Sequence, residues 1–188
     1  VKNRLKTLIK KELKEDKQNH GGQRLSQLVN REESKAFQEK DLLLSEPVTV
    51  VLSEQGWVRS AKGHEVVPSS LSYRTGDGLL QYEKCKTEQD AVFFDSVGRS
   101  YTAAIHGLPS ARGQGEPLTG RFNPPVGASF KGFAAGANDS KFLLSSDSGY
   151  GFLSTLVDLK SKNKNGKAIM KLAANSLVNQ PQRVTSQE

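Results

Sequence analysis

The sequence predicts a mainly β fold: a propeller-like array of hairpin units, preceded by an α-helical segment. Three observations carry that expectation. A plan of strand, tight turn, strand and basic loop recurs after 51 residues without a gap, so that Gly76 maps to Gly127, Gly98 to Gly149 and Gly115 to Gly166. Apolar positions keep the same step, Phe93 with Leu144, Tyr101 with Phe152, Leu108 with Leu159 and Leu118 with Ile169. Apolar spacing is helical near the start of the chain and changes to that of strands at Pro47. One unit of short strands cannot bury both its faces, so units of this period stack on one another.

Taken in order, residues from Val1 to about Asn19 carry Leu5, Leu8, Ile9 and Leu13 as one stripe at helical spacing. Lys10 with Lys14, and Lys11 with Glu15, lie on its solvated flank. His20-Gly21-Gly22 is expected to stop the helix with a left-handed glycine cap. The stripe suits either packing against another segment or a basic helix lying along nucleic acid. The chain opens on Val1 already inside this pattern, as a piece of a longer polypeptide would. Gln23 to Glu46 is polar, with apolar patches at Leu25, Leu28, Val29 and Leu42 to Leu44, and reads as a helix or two and then a linker. The expected organisation is helix and linker over 1–45, about two and a half repeats over 46–174, and a tail or the start of a truncated further blade over 175–188.

Val48 to Leu52 reads as the first strand, Ser53-Glu54-Gln55-Gly56 as its turn and Trp57 to Ala61 as the return. Three such hairpins align on Gly56, Gly98 and Gly149. Ser53, Asp95 and Ser146 stand three residues before each glycine, where a side chain can accept a turn amide while glycine takes positive φ. Apolar residues on both faces of each incoming strand predict hairpins sandwiched between neighbours. Trp57, Tyr101, Tyr150 and Phe152 are expected in the core between units. The first hairpin lies 42 residues before the second, which makes its following loop nine residues shorter. Gly76-Asp77-Gly78 and Gly127-Ala128-Ser129 mark a second turn in each unit.

The 188 residues hold 27 Lys and Arg against 20 Asp and Glu, a net charge of +7 that favours a polyanionic partner. The single Cys85, read as a bystander in a turn, excludes an internal disulfide and a cysteine zinc cluster, which fits a reducing cytoplasm. No apolar run approaches membrane-spanning length and no leader pattern opens the chain, so a soluble protein is expected. His20, His64 and His106 are scattered without carboxylates or cysteines at metal-ligand spacing. Arg112-Gly113-Gln114-Gly115 resembles a phosphate-cradling loop but lacks the helix and the Gly-Lys-Ser/Thr that nucleotide binding needs. Ser53, Ser96 and Ser146 occupy repeating turn positions, which favours turn chemistry over nucleophilic chemistry.

What remains is charge placed by the repeat. The loop that ends at Gly115 carries Arg112; the equivalent loop ending at Gly166 carries Lys160, Lys162 and Lys164, with Lys167 directly after. Equivalent loops emerge on one rim, giving a basic track whose cations neutralise phosphates and whose glycine amides approach them closely. Arg59, Lys62 and Arg99 follow the turn glycines and extend the track. Charge by itself leaves DNA or RNA binding open beside plain solvation or a protein partner.

Glu46-Pro47-Val48-Thr49-Val50-Val51-Leu52-Ser53 and Gly56-Trp57-Val58-Arg59-Ser60-Ala61-Lys62-Gly63-His64 carry a resemblance, as do Asp95-Ser96-Val97-Gly98-Arg99-Ser100-Tyr101 and Leu108-Pro109-Ser110-Ala111-Arg112-Gly113-Gln114-Gly115-Glu116-Pro117-Leu118. These stretches resemble the C-terminal domain of the A subunit of bacterial topoisomerase IV, in the gyrase A and topoisomerase IV A family. The likeness covers most of Arg31 to Leu172, and the upstream helix resembles the end of that protein's coiled-coil arm. Gyrase A chains carry a Gln-Arg-Arg-Gly-Gly-Lys-Gly box; its nearest relative here is Ala111-Arg112-Gly113-Gln114-Gly115, which favours topoisomerase IV over a gyrase DNA-wrapping domain.

The resemblance implies a β-pinwheel of four-stranded blades with exchanged strands, whose basic outer edge binds and bends double-stranded DNA. It implies supercoil relaxation and decatenation by an A2B2 type IIA enzyme. The partners through the rest of the parent chain are then the topoisomerase IV B subunit together with a second copy of the A subunit. The catalytic tyrosine and its arginine neighbour then lie upstream of this sequence. ATP and Mg act on other domains or subunits, and this piece takes no cofactor. The implied location is the bacterial cytoplasm, at the nucleoid. Family discs have about five or six blades, so about two and a half predict an open wedge.

Overall fold

The computed structural model describes residues 2–22, 26, 44–173 and 176–184, and the chain divides into two units, Val1–Phe37 and Gln38–Glu188. In the first, helix α1 (Lys2–His20) leaves Leu5, Leu8, Ile9 and Leu13 exposed, and Lys11 Nζ lies 3.9 Å from Glu15. Its end corrects the expected cap. Neither Gly21 nor Gly22 has positive φ; instead the Gly21 N–H donates to the Lys17 carbonyl, and a Cβ on Gly21 would lie 2.1 Å from that oxygen. The helices and linker expected after Gly22 fall almost wholly outside the described residues.

The second unit contains three antiparallel sheets. β1 (Pro47–Ser53), β2 (Trp57–Lys62) and β3 (Leu79–Lys86) form the first with β6 (Glu116–Pro117), in the order β3-β1-β2-β6. β4 (Asp90–Asp95), β5 (Arg99–Ala104), β7 (Phe130–Gly136) and β10 (Lys167–Ala168) form the second, in the matching order β7-β4-β5-β10. The third holds β11 (Gln182–Val184), β8 (Lys141–Ser145) and β9 (Gly151–Thr155), in the order β11-β8-β9. Each outer strand comes from the following repeat: β6 pairs with β2 and β10 with β5. This exchange of strands is the arrangement of the expected pinwheel. The hairpin registers coincide, with Val51 opposite Arg59, Phe93 opposite Tyr101 and Leu144 opposite Phe152.

Apolar residues alternate across the middle strands of the second sheet because two separate cores need them. Val50, Leu52 and Val58 of the first sheet join Phe93, Tyr101 and Phe133 of the second in one cluster. Val92, Phe94 and Ala134 turn the other way, toward Phe142 and Leu144 of the third sheet. All six residues of β4 are buried accordingly, whereas β8 buries alternate residues. Aromatic contacts join the first core, with Phe93 5.6 Å from Phe133 and Tyr101 5.6 Å edge-on to Phe130.

The turn chemistry follows the sequence in two of three hairpins. Ser53 Oγ accepts the Trp57 N–H at 3.0 Å, and Asp95 Oδ1 accepts those of Val97 and Arg99 at 3.0 and 2.8 Å. Ser146 instead donates its hydroxyl to the Tyr150 carbonyl. Asp95 Oδ2 also accepts the Tyr101 hydroxyl at 2.8 Å; burial and this carboxylate together raise the pKa of the phenol. The 42-residue spacing has a plain cause. In later repeats the connection after the hairpin sends a strand to the preceding sheet, whereas 63–78 folds back on its own sheet, with Pro68 buried and Tyr73 beside Arg59.

Two further expectations are corrected, and one strand finds its place. Tyr150 is 76% exposed and Phe152 38%, because the third sheet has a neighbour on one face only and β9 has no outer strand among the described residues. Cys85 sits buried in β3, not in a turn. Gln182–Val184 start the next repeat in sequence, but in space they form β11 and complete the inner side of the third sheet, the place of β3 and β7.

Candidate nucleic-acid interface

Two loops hold half of the cations singled out from the sequence, and they are built alike. The first, Pro109 to Gly115, is tied to β2: the Ser60 N–H donates to the Pro109 carbonyl and the Ala111 N–H to the Ser60 carbonyl, both at 2.8 Å. The second, Lys160 to Gly166, is tied to β5 by the Ser161 N–H donating to Thr102 Oγ1 at 2.8 Å. Each then enters an outer strand at the same register, Glu116 opposite Val58 and Lys167 opposite Ser100. The closing glycines are required by close approach to the sheet: a Cβ on Gly115 would lie 2.4 Å from the Val58 carbonyl, and one on Gly166 2.6 Å from the Tyr101 ring. These glycines therefore serve the protein's own packing, and Gly113 is the one in the first loop with open space around it.

Each loop borders a cleft on the same side of its hairpin. One of about 570 Å³ includes Lys62, Ser110, Ala111 and Arg112. Its counterpart, about 270 Å³, includes the repeat-equivalent Ser161, Lys162 and Asn163 together with Lys164 and Arg121. The segment leaving the first loop runs to the second. After β6 comes the one-turn helix α2 (Leu118–Arg121), and then Asn123, whose N–H donates to the Lys164 carbonyl at 2.9 Å. Lys164 also shares a cleft with Glu116, Pro117, Gly120 and Arg121. The two loops thus lie on one margin of the sheet stack.

The individual cations differ in what they can offer. Arg112, Lys162, Lys164 and Lys167 are exposed and form no ion pair among the described residues; Lys167 Nζ donates to the Asp158 carbonyl at 2.7 Å, which leaves its charge uncompensated. Lys62 is exposed and lies 3.5 Å from Glu46, a pairing that water screens almost completely. Arg99 is half-buried, with Nη1 donating to the Asn165 carbonyl at 3.0 Å. Two positions do not suit a phosphate contact. Arg59 is only 3% exposed, because the connection 63–78 covers its face of β2. Lys160 is held by Asp90 at 2.8 Å and by Asn138 at 2.6 Å, so its charge is already matched.

Arg121 was not legible from the repeat, since its equivalent is Leu172. It pairs with Glu116 and donates to the Gly107 carbonyl at 2.7 Å, on the wall beside Lys164. Arg74 carries no repeat signal either; its guanidinium lies 3.7 Å over the Trp57 ring and its Nε donates to Gln114. No three His, Cys, Asp or Glu among the described residues are grouped to hold a metal. Nor is any described helix long and apolar enough to cross a membrane.

Comparison with known proteins fits this geometry. The A subunit of DNA topoisomerase 4 from Haemophilus influenzae is 50% identical over 178 residues, 95% of this chain and 24% of the relative. The protein of the same name from Pseudomonas aeruginosa is 49% identical over 185 residues, 98% of this chain. The chain belongs to the family of DNA topoisomerase 4 A subunits. It spans about a quarter of these relatives. Among solved structures, the E. coli ParC C-terminal domain matches with a TM-score of 0.71 at 48% identity, over 76% of this chain and 58% of that one. A gyrase A C-terminal domain matches with a TM-score of 0.56 at 17% identity, which shows shared fold alone. No protein-family model matches the chain.

Proposed function

We propose that this chain is a DNA-binding and DNA-bending module of a topoisomerase IV A subunit, whose margin of rim loops carries the duplex. The observation that carries the reading is the placement of two repeat-equivalent loops on one edge, with Arg112, Lys162, Lys164 and Lys167 exposed and not ion-paired among the described residues. Such cations take up phosphates with release of counterions and little regard to sequence, and a rigid curved stack converts those contacts into a bend. Lys62 and Arg99 flank this set. Lys160, paired with Asp90, serves the fold beneath it, and Arg59 lies buried under the connection 63–78.

On this reading the module guides the transported segment for decatenation and supercoil relaxation by an A2B2 enzyme in the bacterial cytoplasm, at the nucleoid. Strand cleavage, ATP and Mg belong to other domains and subunits, and the module takes no cofactor of its own. The test is fluorescence anisotropy of a labelled duplex of about 30 base pairs, titrated with the 188-residue chain at several salt concentrations. Binding that weakens steeply with salt is expected, with unlabelled duplexes of unrelated sequence competing equally. Absence of binding at low salt removes the reading and leaves a protein-interaction scaffold.

A further inference from the structure

Arg59 occupies the register position that Tyr101 fills in the second sheet and Phe152 in the third. Tyr101 meets the Asp95 carboxylate there; the first hairpin has Ser53 in place of that acid, and its hydroxyl already accepts the Trp57 N–H. The guanidinium accordingly forms no ion pair among the described residues. Nη1 donates to the carbonyls of Ser72 at 2.9 Å and Gly113 at 3.2 Å, the guanidinium lies 4.6 Å from the centre of the Tyr73 ring, and buried Nη2 has no hydrogen-bond partner among the described residues. Burying a cation on neutral carbonyls is costly, and an aromatic side chain fills this place elsewhere in the repeat. Stability of the sheet therefore does not account for it.

What Arg59 does achieve is a fixed carbonyl directly after Arg112, on the exposed loop. The next loop repeats the device from a different hairpin position: Arg99 donates to the carbonyl of Asn165, directly after Lys164. The geometry points to Arg59 as a positioning residue that clamps the first rim loop and holds Arg112 toward a DNA phosphate, with Arg99 doing the same for Lys164. This inference rests on the proposed DNA-carrying edge.

The test uses the 188-residue chain with Arg59→Met, Arg59→Lys, Arg112→Ala and the Arg59→Met/Arg112→Ala double variant. Duplex binding is read by anisotropy, and amide hydrogen exchange by mass spectrometry across 109–116. Arg59→Met is expected to stay folded, to bind duplex about three- to tenfold more weakly at fixed salt, and to keep the wild-type salt slope, because it removes no phosphate contact. Arg59→Lys keeps the charge but not the planar fork, so it shows a similar loss. In the Arg112→Ala background, Arg59→Met has no additional effect. Exchange across the loop rises in both Arg59 variants. Wild-type binding by both variants, independent losses in the double variant, or a salt slope reduced by about 0.9 in Arg59→Met overturns the inference. Failure of the wild-type chain to bind duplex sinks the edge reading instead, and unchanged loop exchange in the variants would then sink the clamp as well.

Discussion

Lys160 and its neighbours Lys162, Lys164 and Lys167 look alike in sequence, and the structure predicts opposite outcomes for them. Four rim cations, Arg112, Lys162, Lys164 and Lys167, are exposed without an ion pair among the described residues. At about 0.9 per phosphate they give a slope of log K against log salt near −3.6, so affinity falls roughly 150-fold between about 50 and 200 mM salt. Replacing Lys162, Lys164 and Lys167 together by alanine leaves about one phosphate contact and a fall of only about fourfold over the same range. Lys160→Met, by contrast, keeps the full slope, because Asp90 already neutralises that ammonium at 2.8 Å. Its effect is on folding. Removing one partner of a largely buried pair costs about 1–3 kcal/mol, read as a lower urea midpoint at unchanged m. Anisotropy titrations of the three proteins at four salt concentrations decide the matter. A triple variant with wild-type slope, or a Lys160 variant with a flattened one, refutes the assignment of charges to edge and fold.

Gly98→Ala and Gly149→Ala separate backbone strain from crowding. Both glycines have φ near +82°, but a Cβ on Gly98 would lie 2.7 Å from the Met170 carbonyl while one on Gly149 meets nothing within 4 Å. Thermal melts should show a loss of about 1 kcal/mol for Gly149→Ala and clearly more for Gly98→Ala. Cys85 is buried, and burial followed by the nearby Glu83 charge pushes its thiol pKa up to about 12. Iodoacetamide at neutral pH should leave the native protein unlabelled and modify it fully in denaturant. Hydrogen bonds from the Ser176 hydroxyl and the Leu177 N–H hold the Asp147 pKa below its ordinary value. Their hold on 176–177 is therefore complete above the ordinary carboxylate pKa and is lost only as pH falls through the lowered one. The Leu177 amide NMR shift should follow that titration, and in Asp147→Ala it should be displaced already at neutral pH.

The period of the sequence was informative about where the hairpins lie and poor at predicting coverage. Three pairs of glycines 51 residues apart identified the repeat, and the paired apolar positions placed Phe93 and Leu144 correctly in their cores. The same alignment put Tyr150 and Phe152 inside, since a repeat records where a residue sits on its strand and not whether a neighbouring sheet lies over it. Arg59 shows the converse case. It follows a turn as a rim cation would, but the non-repeating connection 63–78 closes over it. Lys160 lies within a basic loop, and its acid is Asp90, 70 residues away at the start of β4, a distance that no local pattern spans. Arg121 belongs to the margin through α2, an element with no counterpart cation one repeat later.

The borrowing of edge strands has a mechanical consequence. Cutting away everything beyond Gly115 would remove the last ribbon of the sheet before it as well, since Glu116 and Pro117 lie against Trp57 and Val58. Neighbours joined by such loans melt together, unlike beads that open one at a time. A pull applied across the first two sheets would therefore load the lent ribbons as well as the hairpins themselves.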